Sequence, residues 1–184
     1  TRKISNDIEK LIEKGVRLNE IAILVRAGYQ TRAFEERFVQ IGLPYKVIGT
    51  KFYERLEIRD ALSYFRVVLQ KSDDLALERI INVPKKGIGP QTINLIKNYS
   101  RSQNINLFTA LEEIVLTDEL RPSVKITLIN LINIFNVWRE DLGNLSHTDL
   151  GMKILEESGY IDYLKNENNL EAEGRLENLK ELIN

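Results

Sequence analysis

Cysteine is absent from this sequence, and histidine, methionine and tryptophan occur once each. Without thiols there is neither a disulfide framework nor a thiolate nucleophile, and a cytoplasmic setting is expected. The lone His147 cannot build a zinc centre. No apolar run approaches the roughly 20 residues that cross a bilayer, and no leader pattern opens the chain, so no membrane partner is expected. The phosphate-cradling Gly-Lys-Ser/Thr loop is also missing. No Ser/His/Asp set and no carboxylate pair emerges from the spacing, which argues against a free-standing enzyme. The chain starts at Thr1 and its one methionine is Met152, so it reads as a piece of something longer.

What is present describes a globular protein: 43% apolar and 29% charged residues, enough for one medium domain or two small ones. The net charge of −1 hides an asymmetry. Residues 1–111 hold 19 Lys/Arg and 12 Asp/Glu, whereas residues 112–184 hold 7 and 15. No acid lies between Glu78 and Glu112, a window containing Arg79, Lys85, Lys86, Lys97 and Arg101. A basic half beside an acidic half is the footprint expected when one face meets a polyanion.

The stretch Pro84-Lys85-Lys86-Gly87-Ile88-Gly89-Pro90-Gln91-Thr92 lies inside that window. Gly89 suits an N-cap and Pro90 the first helical position, so the expectation is helix, tight hairpin, helix. Ile88 is expected to point inward, leaving amides around Gly87, Gly89 and Thr92 unpaired at a helix N-terminus. Such donors carry partial positive charge and suit a phosphate. The expected arrangement looks like the hairpin of a helix-hairpin-helix, a module that holds nucleic-acid backbone without reading bases. An ordinary Gly-Pro helix connection with solvated lysines is the alternative from these residues alone.

Along the chain, Ile4, Ile8, Leu11 and Ile12 define a helix ended by Gly15. Residues 20–26 (Glu-Ile-Ala-Ile-Leu-Val-Arg) predict a strand buried on both faces, with Arg26 at the C-terminal end where ligands gather in α/β sheets. A helix over 30–41 follows, then a short strand from Pro44 to Ile48 closed by Gly49. Two strands and two helices cannot cover both faces of a sheet, so this α/β piece is expected to be incomplete. From Phe52 onward only helices are predicted. One carries Ile58, Leu62, Phe65 and Leu69, another opens at the Ser72-Asp73-Asp74 cap, and the longest runs from Pro122 to Leu142 through Leu128, Leu131, Phe135 and Trp138. A loop is expected over Asn166–Asn169. The fold class is thus mostly α (α+β overall), an incomplete α/β piece followed by an all-helical domain.

The order Ile21-Ala-Ile-Leu-Val-Arg26, Gln30-Thr-Arg32, Phe34-Glu-Glu36, Leu43-Pro-Tyr45, Phe52-Tyr-Glu-Arg55, Glu57 to Arg66, Lys86-Gly-Ile-Gly89 and Gly174 to Leu182 resembles the UvrD/Rep/PcrA family of superfamily 1A DNA helicases. The resemblance implies that residues 1–50 are part of a RecA-like motor domain (2A) and residues 51–184 most of the helical 2B domain. It implies a parent that hydrolyses ATP with Mg and moves 3′ to 5′ on DNA, in repair or replication. The fragment itself would hold neither cofactor. Arg26 resembles a residue touching single-stranded DNA, although Gly28 stands where the family commonly has Asn, and Thr50 where it has a second Gly. The Gly87-Ile88-Gly89 hairpin resembles the element gripping double-stranded DNA, with Lys85, Lys86, Gln91 and Thr92 beside it. Arg59 and Arg66, seven apart on one helix, either add phosphate contacts or pair with Glu57 or Asp60. Glu113-Ile-Val-Leu-Thr-Asp-Glu119 mimics a magnesium-binding strand end but falls where that family has a helix. Protein partners docking on the acidic half or on the Leu128–Leu142 helix are the alternative function.

Overall fold

Apolar spacing near 3.6 and short capping residues generate ten α-helices in the computed structural model, which describes residues 1–48, 51–167 and 170–184. They are α1 (Arg2–Glu13), α2 (Thr31–Gln40), α3 (Leu56–Leu69), α4 (Asp74–Ile80), α5 (Pro90–Gln103), α6 (Leu107–Ile114), α7 (Pro122–Glu140), α8 (His147–Glu157), α9 (Tyr160–Lys165) and α10 (Leu170–Ile183). Several starts are capped as the residues dictate. Asp73 accepts from the Ala76 amide at 3.0 Å, Asn106 from Thr109 at 2.9 Å and Ser146 from Asp149 at 3.1 Å. Asp74 reaches further: its carboxylate accepts from the Leu107 amide at 2.7 Å and so ties the start of α4 to the start of α6. No helix among the described residues is long and apolar enough to cross a membrane.

The core forms around α3, which packs against α4, α7, α8 and α10. Ile58, Ala61, Tyr64, Val67 and Val68 are buried along it. Tyr64 stacks on Phe135 with centroids 6.2 Å apart and meets Trp138 edge-on at 6.3 Å. Burying each such ring fully contributes on the order of 2–3 kcal/mol. Leu69, expected on the buried stripe, is 70% exposed. Ile58 is buried and Leu62 and Phe65 pack partly buried against the core, so the stripe holds except at Leu69, the last residue of α3. The Pro122–Leu142 helix forms as read, except that it stops at Glu140 and Leu142 sits in a short 3-10 turn.

Buried polar groups lock the ends of the body. Asp60 accepts from Arg79 Nε at 2.6 Å and from the Tyr160 hydroxyl at 2.8 Å, joining α3 to α4 and α9. Glu57 accepts from Asn178 Nδ2 at 2.6 Å, joining α3 to α10. Arg32 donates to the Glu181 carbonyl, which fastens α2 to α10.

The two expected strands do not form: there is no β-strand among the described residues. Ile21–Val25 and Pro44–Ile48 run as irregular segments beside Phe34 and Phe38, lining an apolar groove of about 860 Å3. Leu24 is 95% and Ile48 89% exposed. A strand buried on both faces depends on neighbours for its ladder and its cover, and these residues supply too few. The expected RecA-like α/β piece is therefore not seen among the described residues. Gly49, Thr50 and the end of the Asn166–Asn169 loop fall outside the described residues.

Candidate nucleic-acid interface

The connection between α4 and α5 is shaped from within by one side chain. Asn82 Oδ1 accepts the Lys86 amide at 2.7 Å and the Ile88 amide at 3.3 Å. Between them Gly87 takes φ +78, a region that penalises any residue with a Cβ. Ile88 is fully buried and pins the hairpin to the core. Gly89 is the N-cap of α5 and Pro90 its first residue, as the residue pattern predicts. Among the described residues, the amides of Gly87, Gly89, Gln91 and Thr92 have no protein acceptor. Gly87 and Gln91 are exposed, Gly89 and Thr92 half-buried. Backbone donors at the start of a 14-residue helix are thus left free beside one exposed ammonium, that of Lys85.

Lys86 behaves differently from its neighbour. Its ammonium donates to the Tyr64 hydroxyl at 3.1 Å and the Pro84 carbonyl at 3.2 Å, and lies 5.8 Å from the Tyr64 ring centre. It lines a cavity of about 220 Å3 with Trp138, Glu157 and Ser158. Burial lowers its pKa from 10.5 to about 8. Tyr64 in turn donates to the Val83 carbonyl, and burial pushes its own pKa up. Trp138 Nε1 donates to Glu157 at 2.7 Å on the far wall.

The remaining cations divide into paired and unpaired. Arg79 is held by Asp60 at 2.6 Å and Lys97 by Glu78 at 2.5 Å. Arg66 pairs with Asp73 at 2.6 Å, not with Glu57 or Asp60, whose oxygens are engaged elsewhere. Arg59, Lys85 and Arg101 are exposed and have no acidic partner among the described residues. At 1.5 Å per residue Arg101 lies about 16 Å along α5 from Pro90, beyond reach of a phosphate held at the hairpin. Arg26 belongs to the N-terminal segment, where Gln30 Oε1 accepts its amide at 2.9 Å and that of Ala27 at 3.1 Å. A Cβ added at Gly28 would stand 2.3 Å from Arg55 Nη2, so the Arg55 guanidinium occupies the space a side chain there would fill. Asn82 and Tyr64 were not among the residues singled out from sequence. The signal for Asn82 was available: an Asn just past a helix end, four residues before the turn, is a frequent acceptor for turn amides.

The model of the UvrD-like helicase C-terminal domain matches residues 1–184. A probable DNA helicase II homolog of Rickettsia conorii is 44% identical over 184 residues, covering 99% of this chain and 28% of that protein. DNA helicase II of Rickettsia typhi gives the same identity and coverage. ATP-dependent DNA helicase PcrA of Staphylococcus aureus is 37% identical over 183 residues, 98% of this chain and 25% of its own length. The chain thus spans about a quarter of the relatives it matches.

Proposed function

The chain belongs to the UvrD-like helicase C-terminal domain family, and on that ground we propose that its helical body holds the backbone of double-stranded DNA at the Gly87–Gly89 hairpin. The observation that carries the reading is the set of four amides in the hairpin and the first turn of α5 that have no protein acceptor among the described residues, beside Lys85, which has no acidic partner among them. A phosphodiester oxygen received there would gain several charge-assisted hydrogen bonds, and no carboxylate from residue 79 to 111 opposes it. Such contacts fix position and carry no sequence information. Gln91 and Thr92 side chains stand within the same first turn to add donors, and Arg59 remains a candidate for a contact further along the duplex, whereas the Lys86 ammonium would first have to leave Tyr64 and the Pro84 carbonyl. Arg66 would first have to leave Asp73.

In the intact protein the same reading makes this segment part of an ATP-dependent DNA helicase, with Arg26 near the single strand. The residues of this chain do not fit ATP and magnesium themselves: the start of α5 offers amides but no lysine followed by a hydroxyl residue, the pair that would hold the terminal phosphates and the metal. No step through ATP is assigned to this chain, and the isolated 184 residues are expected not to hydrolyse it. Docking of a partner protein is the second reading. It is favoured by an apolar stripe on the outer side of α7, where Ile126 is 61%, Val137 45% and Ile129 37% exposed.

Titration of labelled duplexes of different sequence over a salt series tests the first reading. Affinity should ignore sequence and fall with salt, the log–log slope being about −0.9 per phosphate neutralised. Lys85→Ala should weaken all duplexes alike and reduce the slope by about one. Binding that is insensitive to both salt and Lys85 would overturn the reading.

A further inference from the structure

Asn82 sits just past α4, and its single carboxamide oxygen closes two nested loops, one across four residues to Lys86 and one across six to Ile88. The two amides it binds alternate with those of Gly87 and Gly89, which have no protein acceptor among the described residues. Ile88 is buried from below, and the Tyr64 hydroxyl binds the Val83 carbonyl on the opposite limb. A segment containing two glycines would otherwise sample many backbone shapes, and each would cost order on binding.

We infer that Asn82 is the positioning residue of the hairpin: without touching the nucleic acid, it holds the Gly87 and Gly89 amides at the spacing that receives one phosphodiester group. This rests on the backbone-holding reading above. Asn82 adds no charge, so it contributes to affinity through geometry and not through counterion release. Its oxygen also uses up the two amides that would compete for the same phosphate. The site takes a phosphodiester of duplex DNA, with specificity for shape and not for base.

The test uses the 184-residue chain with Asn82→Ala, Asn82→Asp and Lys85→Ala. Amide hydrogen exchange read by NMR reports on the hairpin without DNA. Asn82→Ala should speed exchange at Lys86 and Ile88 by roughly tenfold or more, whereas Asn82→Asp, whose carboxylate can accept both amides, should keep them slow. Duplex affinity should fall roughly tenfold in Asn82→Ala with the salt slope unchanged, in contrast to the lowered slope of Lys85→Ala. Asn82→Asp should also bind weakly, because its charge faces the phosphate, and its deficit should shrink as salt screens it. A general loss of folding would change exchange throughout the core and would not leave the slope intact. Wild-type exchange at Lys86 and Ile88 in Asn82→Ala overturns the inference. So does wild-type duplex affinity in Asn82→Ala when Lys85→Ala is weakened, a result that leaves the backbone-holding reading standing. If neither Asn82→Ala nor Lys85→Ala loses affinity, that reading falls and the inference with it.

Discussion

Replacing Lys86 with methionine should stabilise this protein, although the residue makes two hydrogen bonds and sits over an aromatic ring. Its ammonium has been taken partly out of water, and the pKa falls from 10.5 to about 8. At about 1.4 kcal/mol per factor of ten, that gap corresponds to roughly 3 kcal/mol charged against the folded state wherever the lysine is protonated in both states. Residual solvation and the two neutral oxygen acceptors reduce the expected gain to about 1–2 kcal/mol near pH 7. The sign with pH follows from proton counting. Between about pH 8 and 10.5 the unfolded chain still holds a proton that the folded chain has released, so wild-type stability rises with pH in that window. Below about pH 8 both states are protonated and the cost is constant. The rise is cut off near pH 10, where Tyr64 and Tyr160, which burial keeps protonated in the fold, begin to ionise in the unfolded chain. Urea melts at pH 7 and pH 9.5 on wild type and Lys86→Met measure this directly. The variant should start higher at pH 7 and lack the alkaline rise. A variant less stable than wild type at pH 7, or one with the same pH response, would show that the ammonium is a stabilising anchor and refute the reasoning.

Two further substitutions probe the parts that hold the hairpin and the body. Gly87→Ala adds a Cβ that meets nothing within 4 Å but must adopt φ +78, so thermal melting should show a loss of about 1 kcal/mol from backbone strain alone. A neutral result would mean that the turn relaxes to another shape. Asp60→Ala strands the half-buried Arg79 guanidinium and the buried Tyr160 hydroxyl together, and denaturant unfolding should reveal a loss of about 3 kcal/mol or more. A cost below about 1 kcal/mol would mean that Asp60 does not join α4 and α9 to α3.

The sequence alone determined the features that depend on near neighbours in the chain. Helix spacing, the cap at Asp73, the Gly89-Pro90 start of α5 and the inward Ile88 all rest on interactions spanning a few residues, and they formed as the residue pattern predicts. The order of motifs also identified the family without any coordinates. Tertiary structure decided everything that needed a distant partner. Ile21–Val25 has strong β character, yet a strand requires a ladder with other strands, and among the described residues none is supplied. Leu69 fits a helical stripe, but the direction of the core around α3 is set by α4, α7, α8 and α10. Lys85 and Lys86 are adjacent and chemically identical, and only the fold separates them. One side chain leaves for solvent, while the other turns back to Tyr64, twenty-two residues earlier, because the cavity beneath the hairpin lies on its side of the backbone.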